Sequence, residues 1–118
     1  MKILIVDDNE SITKALSQYL TVKSYEVSVA NGGRSGLSLI QNHEFDAILL
    51  DLSMPDFSGF DIIETLEKDG QLKDKKIILF TASSISNELI NELLSKDGIE
   101  TYLKKPVKLS EIEQVLTS

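Results

Sequence analysis

The chain has 118 residues, 42% of them hydrophobic, with no cysteine, no tryptophan and a formal net charge of −7. That length suits one domain with a real core, and the missing cysteines exclude disulfides, thiolate metal sites and a cysteine nucleophile. The acidic balance argues against direct nucleic-acid binding, and no apolar run approaches the ~20 residues of a membrane span.

In chain order, Ile3-Leu4-Ile5-Val6 opens as a short apolar run. Ile12, Ala15, Leu16, Tyr19 and Leu20 follow at the spacing of one helix face. Val27-Ser28-Val29-Ala30 alternates and suits a strand near a sheet edge, and Asn31-Gly32-Gly33 leads into a helix through Gly36, Leu37 and Ile40. Ala47-Ile48-Leu49-Leu50 is continuously apolar, and Phe60, Ile63 and Leu66 form the next stripe. Ile77-Ile78-Leu79-Phe80 precedes a broad stripe from Ile85 to Leu94. The weaker run Thr101-Tyr102-Leu103 precedes a last helix carrying Leu109, Ile112, Val115 and Leu116. Continuous apolar runs are strands covered on both faces, so the alternation predicts an α/β fold, (βα)5, with a doubly wound parallel sheet. There is no linker or repeat, and the whole chain, 1–118, is expected to be one domain.

Open α/β sheets bind ligands outside the carboxyl ends of their strands. That rule selects Asp7 and Asp8 after the first run, Asp51 after the third, Thr81 and Ala82 after the fourth, and Lys104, Lys105 and Pro106 after the fifth. Three carboxylates brought to one edge repel, so at least one should hold its proton more tightly unless a cation relieves it. Mg²⁺ suits oxygen ligands and is commonly held by one or two carboxylates plus phosphate oxygens. An ammonium and a hydroxyl beside them make a site for phosphoryl transfer, with Asp51 available as the nucleophile.

Asp7-Asp8, Asp51-Leu52-Ser53-Met54-Pro55 with Gly59, Thr81-Ala82, and Tyr102 ahead of Lys105-Pro106 together resemble the response-regulator receiver family of two-component signalling. The resemblance covers the whole chain. It implies the flavodoxin-like strand order 2-1-3-4-5, phosphorylation of Asp51 by a sensor histidine kinase or phosphotransfer protein, and a cis peptide between Lys105 and Pro106. It further implies Mg²⁺ on Asp8, Asp51 and the Ser53 carbonyl, with Asp7 acting through water. Lys105 rather than Lys104 would pair with the phosphoryl group, Thr81 would hydrogen-bond it, and Tyr102 would report the state by changing rotamer. The expected role is that of a cytoplasmic phosphorylation-controlled binding module, not an enzyme. Its expected partners are a downstream target protein or separate output domain, and a second copy on activation.

Ile99 stands after Gly98 where many receivers carry a small residue, and Ser53 and Ser83 stand at positions whose side chains, in the family this chain resembles, tune how water reaches the acyl phosphate. An aspartate-nucleophile phosphatase of the haloacid dehalogenase type would need Asp-x-Asp after the first strand, and Asp51-Leu52-Ser53 breaks that order. A phosphorylation-independent pseudo-receiver is opposed by the complete set of transfer residues. A flavodoxin is opposed by Asp7-Asp8, which would repel the flavin phosphate. Asn31-Gly32-Gly33-Arg34-Ser35-Gly36 lacks the order of a phosphate loop, and His43 in a polar connection is expected to be exposed.

Overall fold

A computed structural model describes residues 1–117, so Ser118 of the expected domain lies outside the described residues. The strands are β1 (Lys2–Val6), β2 (Glu26–Ala30), β3 (Ala47–Asp51), β4 (Ile77–Thr81) and β5 (Ile99–Lys104). The helices between and after them are α1 (Glu10–Val22), α2 (Gly33–Asn42), α3 (Gly59–Lys68), α4 (Asn87–Leu94) and α5 (Leu109–Thr117). All pairings are parallel, in the order β2-β1-β3-β4-β5. The expected fold class and strand order are therefore both present.

Successive strand residues point to opposite faces, and this divides the core in two. Leu4, Val6, Ile48, Leu50, Ile77 and Leu79 pack with Ile40 of α2, Ile62, Ile63 and Leu66 of α3, and Ile90 and Leu93 of α4. Ile3, Ile5, Leu49, Ile78 and Phe80 pack on the other face with Leu16 and Leu20 of α1 and Ile112 and Leu116 of α5. β1, β3 and β4 are apolar on both faces because helices cover both, and β2, which alternates, is an edge strand. α1 and α2 leave β1 and β2 toward opposite faces. The sheet therefore has its switch point between β1 and β3, which sets Asp7 and Asp8 across from Asp51.

Two local details differ from the periodicity. Ile85 lies in the loop before α4, whose N-cap is Ser86, accepting from Leu89 N–H. Ile85 and Ile90 then stand at the two ends of a hydrophobic staple and share one apolar cluster. Ile99 pairs with Ile77 and is buried, and a register shift between Ile77 and Ile78 admits it. Gly98, at φ 100°, makes the turn into β5 where a side chain would strike the Leu72 carbonyl.

Candidate functional site

Asp7 and Asp8 extend β1 beyond its last pairing. Asp7 is held by its N–H to Ala30 O (3.1 Å), and its Oδ1 accepts from Asn9 N–H (3.0 Å). Asn9 in turn caps α1 through Ile12 N–H. Asp7 is fully buried and Asp8 exposed. Asp51 ends β3 with 2% exposure, and its Oδ1 accepts from Ser53 N–H at 3.2 Å. Carboxylate oxygens of Asp7, Asp8 and Asp51 lie within 4.8 Å of one another. The strand-end rule thus brought the three acids to one place.

Lys105 directly follows β5, anchored by its N–H to Thr81 O at 2.8 Å and followed by a cis bond to Pro106. Its Nζ reaches both Asp7 Oδ2 (3.1 Å) and Asp51 Oδ1 (3.2 Å). Lys104, one residue earlier, is exposed and pairs in register with Thr81. Neighbouring positions on an extended segment face opposite ways, so one lysine enters the acid cluster and the other does not.

One ammonium between two buried carboxylates leaves excess negative charge. Burial first, and then the neighbouring Asp7 charge, push Asp51 up from the ordinary 3.8 to about 6, against the opposing pull of Ser53 N–H and Lys105. Asp51 Oδ2 is buried and, among the described residues, has no hydrogen-bond partner. An oxygen-only donor set, an unpartnered buried carboxylate oxygen and three acids this close fit a hard divalent cation such as Mg²⁺. The native fold holds the Asp51 proton more tightly than the unfolded chain does, so the Asp51 contribution to stability is fully present below the ordinary carboxylate range and is lost as pH rises through about 6. In metal-free buffer, Asp51→Asn should therefore stabilise the fold at pH 7 by on the order of 1–3 kcal/mol and lose that advantage toward pH 4. Urea unfolding at several pH values reads this difference directly, and a variant no more stable than wild type at pH 7 would contradict it.

Thr81 ends β4 at 2% exposure and, with half-buried Tyr102 of β5, lines a pocket of about 300 Å³ beneath the β4–α4 loop. Ser83, Ile85, Asn87 and Ile90 complete most of its wall. Space for an aromatic ring to move therefore lies between the buried hydroxyl and the α4 face. Ser53 and Ser83 are exposed beside the site, as is His43 at the end of α2, away from it.

The model of the response regulator receiver domain family matches residues 3–117. The chain belongs to that family. Receivers are signalling modules of two-component systems; they interact with histidine kinases and output domains and typically bind Mg²⁺ at an acidic pocket, and this chain has a cluster of three acids, Asp7, Asp8 and Asp51. The chain is similar to the response regulator MprA of Mycolicibacterium vanbaalenii, 33% identical over 95% of this chain but only 47% of that protein. It thus spans about half the length of that relative. It is also similar to the polar-differentiation response regulator DivK of Brucella anthropi, 28% identical over 98% of this chain and 93% of DivK. Among solved structures, the chemotaxis response regulator CheY4 of Vibrio cholerae is 31% identical with a TM-score of 0.84, over 98% of this chain and 95% of that one. No helix among the described residues of this receiver is long and apolar enough to cross a membrane.

Asp56 was not legible as part of this region. Its carboxylate accepts from Gly33 N–H at 3.2 Å, at the start of α2. A helix that opens on Gly32-Gly33 with no capping side chain of its own was the available signal.

Proposed function

We propose that this receiver domain, spanning 1–118, accepts a phosphoryl group on Asp51 from a phosphohistidine of a sensor histidine kinase or phosphotransfer protein in the cytoplasm. The observation that carries this reading is the Lys105 ammonium held between buried Asp7 and Asp51, while one Asp51 oxygen has no hydrogen-bond partner among the described residues. A carboxylate oxygen of Asp51 attacks phosphorus in line and the donor N–P bond breaks. Its electron pair returns to the imidazole nitrogen, leaving an acyl phosphate on Asp51. Asp8, Asp51 and the Ser53 carbonyl would hold Mg²⁺, with Asp7 acting through a bound water. The ion, when bound, neutralises the clustered charge and polarises phosphoryl oxygens.

Lys105 is already beside Asp51 and supplies a fixed positive partner for the transferred group. With acetyl phosphate and Mg²⁺, Lys105→Ala should lower the yield or rate of modification by ~100-fold, the scale of losing one preorganised donor. Lys104→Ala should modify like wild type. Intact-mass measurements over time rank the two variants, and the reverse order would place the wrong lysine at the site.

Phosphorylation is read out through Thr81 and Tyr102. A phosphoryl oxygen draws the Thr81 hydroxyl, the β4–α4 loop follows, and the Tyr102 ring turns into the pocket beneath it. The face formed by α4, β5 and α5 changes shape for a downstream target protein or separate output domain. Leu89 of α4, 45% exposed, leaves apolar surface there for a partner or a second copy. A charge of −7 per chain opposes self-association, so the resting state is a monomer and dimerisation awaits phosphorylation. The chain assists only its own phosphorylation and dephosphorylation and turns over no external substrate. Chemical-shift mapping with beryllofluoride and Mg²⁺ should show changes along α4, β5 and α5 beyond the acid cluster; changes confined to Gly32–Ile40 would reject this surface.

A further inference from the structure

The β3–α3 loop carries the Ser53 carbonyl, and its inner part is fixed by ordinary means. Leu52 and Met54 insert into the core, Leu52 N–H donates to Phe80 O at 3.1 Å, and Gly59 N–H closes back on Leu52 O at 3.2 Å. The outer part, Pro55 to Phe57, is held differently. Asp56 Oδ1 accepts from Gly33 N–H at 3.2 Å, with Oδ2 at 3.5 Å from Arg34 N. The Phe57 carbonyl presses on Gly33 so closely that a Cβ there would sit 1.7 Å from it. The Arg34 guanidinium covers the Phe57 ring at 4.9 Å. α2 has no cap of its own, because Gly32 stands at the N-cap position. A carboxylate from a loop more than twenty residues away therefore does that work.

The β2–α2 connection is itself tied to α1, since the buried Thr13 hydroxyl donates to Asn31 Oδ1 at 2.7 Å. α1, the β2–α2 connection and the β3–α3 loop are thus joined in series beside the acid cluster, and Asp56, with Phe57, joins the β3–α3 loop to the other two.

We propose that Asp56 is a positioning residue for cation binding: by capping α2 across the fold, it sets the β3–α3 loop so that the Ser53 carbonyl meets Asp8 and Asp51 at one ion. This rests on the reading of that cluster as a Mg²⁺ site. Asp56 touches no ligand and acts only through the loop. Carboxylates at a helix N-terminus satisfy free N–H groups and favour the positive end of the macrodipole, which gives the tether its strength. Residues that orient metal ligands commonly contribute ~10–100-fold to affinity, and a tether acting through a short loop belongs at the lower end.

Calorimetric titration of the full chain with Mg²⁺ tests this, with urea unfolding of each metal-free variant alongside. Asp56→Ala should weaken Mg²⁺ binding by on the order of tenfold, and Asp56→Asn, which keeps an acceptor for Gly33 N–H, should recover most of it. The decisive variant combines Gly32→Ser with Asp56→Ala. Gly32 has extended backbone at φ −170°, and the atom nearest an added Cβ is the Asp56 carboxylate, which that variant removes. A serine there caps α2 locally, restoring stability without restoring the tether. Persistent weak binding in that variant supports positioning. Wild-type affinity in Asp56→Ala, or recovery of affinity together with stability in the double variant, overturns it. No Mg²⁺ binding by wild type would instead remove the site reading itself, and the positioning role with it.

Discussion

Asp51→Asn should abolish modification by acetyl phosphate or beryllofluoride, down to the background of an unreactive carboxamide. The side chain keeps nearly the same volume at a site only 2% exposed, so packing around Leu50 and Phe80 is undisturbed. What is lost is the anion: a carboxamide oxygen is a poor nucleophile and no longer draws Lys105 or a cation by charge. The variant should also be the more stable protein without metal, because the charge that burial and Asp7 oppose has gone. A fold that gains stability while losing all modification is hard to explain by structural damage. Equal modification of wild type and Asp51→Asn, followed by intact mass, would contradict the phosphoacceptor assignment.

Asp8→Ala should weaken Mg²⁺ more than Asp7→Ala does. Asp7 already commits one oxygen to Asn9 N–H and the other to Lys105, and it is fully buried. Asp8 is exposed, with its carboxylate in the same cluster, and is therefore better placed to offer an oxygen to an ion arriving from solvent. A residue acting through water or through a neighbouring ligand contributes ~10–100-fold. Asp7→Ala should fall in that range, and Asp8→Ala beyond it, to near-complete loss at millimolar Mg²⁺. Fluorescence or calorimetric titration distinguishes them; unchanged affinity in Asp8→Ala would remove the direct-ligand role.

The scaffold was readable because each strand carries its own signature. β1, β3 and β4 lie between two helical layers, so their continuous apolar runs follow from burial on both faces, and the alternation of β2 follows from its edge position. The acids and Lys105 were readable because strand ends in such a sheet converge, whatever the packing. Ile85 misled the periodicity because the apolar residue of a staple continues the stripe one step beyond the cap, at Ser86. Asp56 was opaque for a different reason. A helix cap supplied by a distant loop leaves no local pattern, and only the Gly32-Gly33 opening of α2 hinted that a partner was needed. The pocket between Thr81 and Tyr102 is likewise a product of β4–β5 register and of the loop before α4, neither of which is written in adjacent residues.

The central claim is that the phosphoryl group resides on the Asp51 carboxylate as an acyl phosphate, and borohydride reduction followed by peptide mapping tests it most directly. The domain is loaded with acetyl phosphate and Mg²⁺, reduced, digested and sequenced by mass spectrometry. Reduction of an acyl phosphate at Asp51 yields homoserine at that position alone, and prior hydroxylamine treatment should prevent it. A hydroxylamine-stable phosphate on Ser53, Ser58 or another hydroxyl, or reduction at Asp7 or Asp8 with Asp51 intact, would contradict the account.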